Sequence, residues 1–224
     1  MQVWRQAVPW TDWGGKPGPN RSPARLLAVR DLASGPQLLW LPVTDESADA
    51  AAAGLEALFR EHGAPLVLKS DNGSAFVAEE FGALLDRWGV WQLFSPPRTP
   101  RYNGSCEAGI GSMKTRTHYQ AAARGGRAGE WTCTDAEAAR QEANETARPW
   151  GAGGPTPGEV WAGRQRVEEP ERAAFAESVR RSEREARRAQ GHPAPAVLDR
   201  TAQAAMSRVA LREALLVHQL LRLL

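Results

Sequence analysis

Apolar residues fall in short runs broken by turn chemistry along the first half of the chain, and at helical spacing along the second. The runs over 3–8 and 10–13 predict a first strand, followed by a Gly/Pro-rich loop over 14–23. Two further runs, 26–29 and 38–43, flank Ala33-Ser34-Gly35-Pro36 and predict an antiparallel hairpin. An alanine-rich stretch from about 47 to 61 carries Leu55, Leu58 and Phe59 on one face with Gly63 beyond its end, the signature of a terminated helix. The uniformly apolar 65–68 reads as a buried fourth strand ending in Ser70-Asp71-Asn72-Gly73. Phe81, Leu84, Leu85 and Trp88 lie at i, i+3, i+4 and i+7, so 77–88 is helical, and Trp91–Phe94 is a fifth strand. Three strands, a helix, a strand, a helix and a strand imply an α/β fold: a mixed five-stranded sheet with helices on both faces.

The second half is read as helical. Residues 95–104 hold three prolines and an Asn-Gly and are irregular; helices follow over 105–122 and 134–147, then a loop over 149–157. The Arg/Glu-rich stretch 169–190 pairs Glu177 with Arg181 and Glu183 with Arg187 at i, i+4, as in a solvated helix. A final helix aligns Met206, Ala210, Ala214, Val217, Leu220, Leu221 and Leu224 and stops in mid-stripe without a capping residue, as expected for a piece of a longer protein. The division expected is a main domain over 1–165 and a helical C-terminal extension over 166–224.

Composition narrows the class. With 42% hydrophobic and 24% charged residues the chain is globular rather than disordered. A net charge of +2 leaves nucleic-acid binding to local clusters of cations. Cys106 and Cys133 are too few for a disulfide framework, and His62, His118, His192 and His218 lack zinc-finger spacing. No stretch reads as a membrane span or signal peptide, so a reduced, cytoplasmic protein is expected. Most of the nine tryptophans sit at core spacing; Trp150 and Trp161, beside Gly/Pro loops, are the exceptions.

Two carboxylates stand where chemistry is found. Asp71 follows the buried fourth strand, at the sheet edge where open α/β sheets build their sites, although Asp-Asn-Gly is also turn chemistry. Glu107 lies in the first turn of a helix, where an acid also stabilises the helix N-terminus. Thirty-five residues separate them.

The segments Lys69-Ser70-Asp71-Asn72-Gly73-Ser74-Ala75-Phe76 and Ser95-Pro96-Pro97-Arg98-Thr99-Pro100-Arg101-Tyr102-Asn103-Gly104-Ser105-Cys106-Glu107 resemble the second and third acidic motifs of DDE-type (DD35E) transposases and retroviral-type integrases. The resemblance runs over about 8–163 and includes Gly154-Pro155-Thr156-Pro157-Gly158-Glu159-Val160-Trp161, which is similar to the tail of many bacterial insertion-sequence cores. It implies a ribonuclease H-like fold and three catalytic, metal-ligating acids. The first, by the resemblance, belongs to the central first strand, which adjoins the fourth. Asp12, within Trp10-Thr11-Asp12-Trp13 and with 58 residues between it and Asp71, fits that place, though Gly14 departs from the usual pattern. Asp31 and Asp45, at the ends of later strands, are the alternatives; Asp31 reads better as a turn organiser and Asp45 as a helix-capping acid.

Such carboxylates need a cation, because a phosphodiester is itself anionic. Hard oxygen ligands select Mg²⁺ or Mn²⁺, and two ions about 4 Å apart suit in-line displacement. The implied activity is DNA cleavage that frees 3′-hydroxyls at element ends and strand transfer of those hydroxyls into target DNA, by a homo-oligomer. Arg98, Arg101, Tyr102, Asn103, Lys114 and Arg116 are the candidate DNA contacts. Lys114 lies two helical turns beyond Glu107 on the same face. Each cation has the alternative of being a solvated charge. Two rival readings remain: a catalytically degenerate core that binds DNA or protein, and a ribonuclease H-like nuclease that hydrolyses without joining.

Overall fold

The computed structural model describes residues 2–7, 25–43, 47–96, 99, 102, 104–126, 131–189, 191 and 198–220, and of residues 2–7, 25, 105, 106 and 200 the backbone alone. Its strands are β1 (Gln2–Ala7), β2 (Arg25–Arg30), β3 (Gln37–Val43), β4 (Val67–Ser70) and β5 (Trp91–Phe94), in the spatial order β3-β2-β1-β4-β5. β1, β2 and β3 form an antiparallel meander, and β4 and β5 a parallel pair with Lys69 opposite Leu93. The two parts meet through one parallel register pair, Gln2 and Lys69.

The helices are α1 (Ala48–His62), α2 (Glu79–Arg87), α3 (Gly104–Ala123), α4 (Cys133–Thr146), α5 (Pro157–Ala162), α6 (Glu169–Ala189) and α7 (Arg200–Val217). α1 begins where the Ser47 side chain accepts the Ala50 amide and ends at Gly63. A 3-10 turn over Ser74–Phe76 delays α2 by two residues from its predicted start. Capping boxes, Thr132 with Asp135 and Thr156 with Glu159, start α4 and α5.

Alternation along the strands divides the core. Leu27, Val29, Leu38 and Leu68 face α1 and α2, against Leu55, Phe59, Phe81 and Leu85. On the other side Leu26, Ala28 and Trp40 meet Ile110 and Met113 of α3 and Ala136 and Ala139 of α4. The same side of the parallel pair, with Leu66, Val67, Trp91 and Leu93, is covered by Phe175 and Val179 of α6 and Ala210, Leu211 and Ala214 of α7.

That last cluster corrects the reading of α6 as a solvated helix. Phe175, Ser178, Val179 and Ser182 form a buried stripe at i, i+3, i+4 and i+7 among the surrounding charges. Of the two ion pairs expected, Glu183–Arg187 forms, while Glu177 pairs with Arg184 instead of Arg181. The stripe on α7 also turns: Met206, Ala210 and Ala214 are buried, Leu211 joins them, and Val217 and Leu220 are exposed.

Three arginines of this region close backbone carbonyls that the end of α1 and the entries to β4 and β5 leave open. Arg164 donates to His62 O, Arg166 to Glu61 O, and Arg172 to Ala64 O, Pro65 O and Gly89 O. Arg172 needs Gly89 there. That residue has φ +61°, and a Cβ on it would stand 2.9 Å from Arg172 Cδ.

Candidate active site

β4 delivers Asp71 at its C-terminal end, and hydrogen bonds fix how. The amide and hydroxyl of Ser95 both donate to Ser70 O, at 3.0 and 3.1 Å, tying the ends of β4 and β5 together. Gln92 Nε2 donates to Ser70 Oγ and to Phe76 O, and Asn72 Nδ2 to Ser95 O. Asp71 is half-buried at this seam, and its Oδ1 accepts the Gly73 amide at 2.7 Å. A Cβ on Gly73 would sit 2.9 Å from that oxygen, so the glycine leaves the carboxylate its place.

Glu107 is exposed in the first turn of α3. The helix is held in rotation by the buried Thr117, which accepts Trp40 Nε1 at 3.1 Å and donates to Met113 O. With Ile110, Met113 and Thr117 inward, Glu107 and Lys114 share another face. Lys114 is half-buried, and loss of solvent lowers its ammonium pKa. Arg116 lies half a turn round from Glu107 and pairs with Glu142 at 2.6 Å.

The turn before α3, where Tyr102 N donates to Thr99 O, is held to β4 by Lys69. Its ammonium donates to Tyr102 O and lies 4.1 Å from the centre of the Tyr102 ring. Burial raises the Tyr102 phenol pKa, and the charge of Arg208 on α7 works against that rise. Neither Lys69 nor Arg208 stands out in the sequence. The first lies within a motif read for its acid, and the second only becomes a neighbour through the packing of α7.

Asp31 is a turn organiser: its Oδ2 accepts the Ser34 amide at 2.8 Å and hydroxyl at 2.6 Å. Asp12, Asp45, Arg98, Arg101 and Asn103 lie outside the described residues. Among the described residues no three His, Cys, Asp or Glu side chains converge, and no helix is long and apolar enough to cross a membrane. Trp161 is packed by Arg164, 3.3 Å over its ring, and by the edge of His62; Trp150 is exposed.

With this geometry in place, the likeness to known proteins has a definite meaning. The family described as Integrase core domain matches residues 8–100, a span that contains Asp12 and Asp71 and stops short of Glu107. A search of curated proteins finds no match. Among solved structures, a chain of the simian T-cell lymphotropic virus intasome in complex with PP2A regulatory subunit B56 gamma aligns with TM-score 0.61 and 17% identity over 75% of this chain. The chain spans 55% of that relative's length. The catalytic core domain of BIV integrase aligns with TM-score 0.54 and 22% identity, covering 72% of this chain and 91% of its own. The HTLV-2 integrase catalytic core domain in complex with magnesium gives 0.54 and 15%, covering 71% and 93%. The fold is that of an integrase catalytic core, ribonuclease H-like with mixed α/β content.

Proposed function

We propose that this chain is a DDE-type polynucleotidyl transferase that nicks DNA at element ends and joins the freed 3′-hydroxyls to target DNA. The observation that carries the reading is the Lys69–Tyr102 contact. It ties the strand that delivers Asp71 to the turn that leads into Glu107. The match to the Integrase core domain and the fold of retroviral integrase cores support it.

The donor set fits a hard divalent cation. Asp71 and Glu107 offer carboxylate oxygens, and Asp71 Oδ1 has only the Gly73 amide as a partner among the described residues. Asp71, Glu107 and Asp12 would hold Mg²⁺ or Mn²⁺, as one ion or two. Bound there, the cation would supply positive charge for the attacking and leaving oxygens of an in-line displacement. The protein's own part is positional. The Gly73 amide orients Asp71, the Thr117–Trp40 bond sets the rotation of α3, and Lys114 offers a cation to a phosphate on the Glu107 face. A phosphate bound there would oppose the effect of burial, which lowers the Lys114 pKa. The HTLV-2 cores include dimeric and trimeric forms, and homo-oligomeric assembly on paired element ends is part of this reading.

The test is incubation with candidate element-end DNA and Mn²⁺, scoring nicked and joined products for the parent, Asp71→Asn and Glu107→Gln. Nicking and joining by the parent, lost in both variants with folding kept, is the expected result. Hydrolysis without joining would mark a ribonuclease H-like nuclease, and DNA binding without cleavage a degenerate core. The first acid is tested by the melting-temperature rise on adding Mn²⁺. Asp12→Asn should lose it, while Asp31→Asn and Asp45→Asn keep it. Retention in Asp12→Asn with loss in either of the others would reassign the ligand.

A further inference from the structure

α7 reaches the acidic site through its packing on β5. Ala210, Leu211 and Ala214 lie against Leu66, Trp91 and Leu93. Leu93 is the sheet partner of Lys69, whose ammonium holds Tyr102. Arg208 precedes Leu211 by three residues and so occupies the same side of α7, one turn earlier. The packing of Leu211 on the parallel strands thus brings Arg208 to the side of β5 next to Lys69, near enough for its charge to act on the Tyr102 phenol.

Arg208 is half-buried and has no ion pair or hydrogen bond among the described residues. On the helical pair Arg212 pairs with Glu213, Arg184 with Glu177, and Arg187 with Glu183 and Gln203, while Arg180, Arg181 and Arg188 are exposed to solvent as Arg208 is not. A partly covered guanidinium without a carboxylate partner keeps its donors available to an anion from outside. A second cation, Lys69, already faces Tyr102 from the opposite element. The place therefore carries positive charge from two elements next to the strand end that bears Asp71.

We propose that Arg208 contacts a DNA phosphate at the rim of the acidic site, so that the C-terminal helical pair is part of the DNA-binding surface rather than an appendage. The proposal rests on the polynucleotidyl-transfer reading above. It adds to that reading a specific contact from outside the 8–100 span that resembles integrase cores. A guanidinium suits the role because its planar fork gives two parallel bonds to phosphate oxygens.

The test uses the full chain and a labelled random-sequence duplex, with affinity measured across a salt series for the parent, Arg208→Gln, Arg208→Lys and Arg180→Gln. Arg180 is exposed on α6 and serves as a control for loss of one charge anywhere. Arg208→Gln should lower the slope of log affinity against log salt by about 0.9. Arg208→Lys should keep the parent slope with weaker binding, and Arg180→Gln should match the parent in both. A folded fraction that is constant across the salt series, checked by circular dichroism, shifts log affinity without changing its slope, so a partly unfolded variant still reports. A parent-like slope in Arg208→Gln, or an equal fall in Arg180→Gln, overturns the Arg208 contact while leaving the polynucleotidyl-transfer reading intact. If the parent binds no DNA, that reading fails and the Arg208 contact falls with it.

Discussion

Lys69 donates its ammonium to the carbonyl of Tyr102 while lying 4.1 Å from the centre of the same residue's ring. One side chain thus holds both the backbone and the face of the residue that leads into α3. A hydrogen bond from a charged donor contributes about 1.5–3 kcal/mol, and a cation over an aromatic face about 0.5–2 kcal/mol. Lys69→Met should lower the free energy of unfolding by about 2–3 kcal/mol, and Tyr102→Ala, which keeps the carbonyl, by less through this contact. Urea denaturation of both variants checks the order. Strand transfer should fall further in Lys69→Met than its stability alone accounts for, because the helix bearing Glu107 loses its anchor to the strand bearing Asp71.

Gly73→Ala separates placement of the carboxylate from folding. The backbone at Gly73, φ −59° and ψ 147°, suits any residue, so the cost in stability should stay below about 1 kcal/mol. The added Cβ would press on Asp71 Oδ1 and move it. A misplacement near 1 Å costs on the order of 100-fold in rate. Single-turnover nicking against the melting temperature makes the comparison: a large loss in the first with little change in the second is expected.

Phe175 is buried between α6 and the parallel strand pair. Phe175→Ala should cost about 3–5 kcal/mol. A chain ending at residue 165 would expose Leu66, Trp91 and Leu93 to water. It should bind a hydrophobic dye and aggregate, whereas a dispensable extension would leave a folded core.

Asp135 ties stability to acid. Burial works to raise its pKa, but the Arg124 guanidinium and the Thr132 amide and hydroxyl, all donating to it, together hold it below the ordinary carboxylate value. With the folded pKa depressed, its stabilisation is complete above the unfolded value of about 3.9 and is lost as pH falls through the folded one. Asp135→Asn should therefore be less stable than the parent at pH 7, and the gap should close as pH is lowered past 3.9. Urea midpoints across that range read it directly.

Local periodicity carried most of the fold. The α1 and α3 boundaries, the hairpin turn at Asp31–Gly35 and the β4 and β5 runs lie within a residue or two of where apolar spacing puts them. The resemblance pointed to the candidate acids, and Asp71 stands at the end of β4 with the Asx geometry its Asn-Gly neighbours imply. Two things were hidden, both for non-local reasons. The stripe Phe175, Ser178, Val179, Ser182 holds two small polar residues, so composition masks an apolar face that only the partner strands reveal. The arginines of 164–172 resemble solvated cations because the carbonyls that claim them stand about a hundred positions earlier.

The reach of Arg172 sets an order of assembly. Ala64 O, Pro65 O and Gly89 O are met by a guanidinium that synthesis supplies last, 108, 107 and 83 residues after the groups it joins. A nascent chain that has just completed β5 has both parallel strands in hand but neither the brace on their entries nor the cover on their outer side. Contacts of such long sequence separation slow folding. The interval before α6 emerges is the period in which the bare strand pair is open to wrong partners.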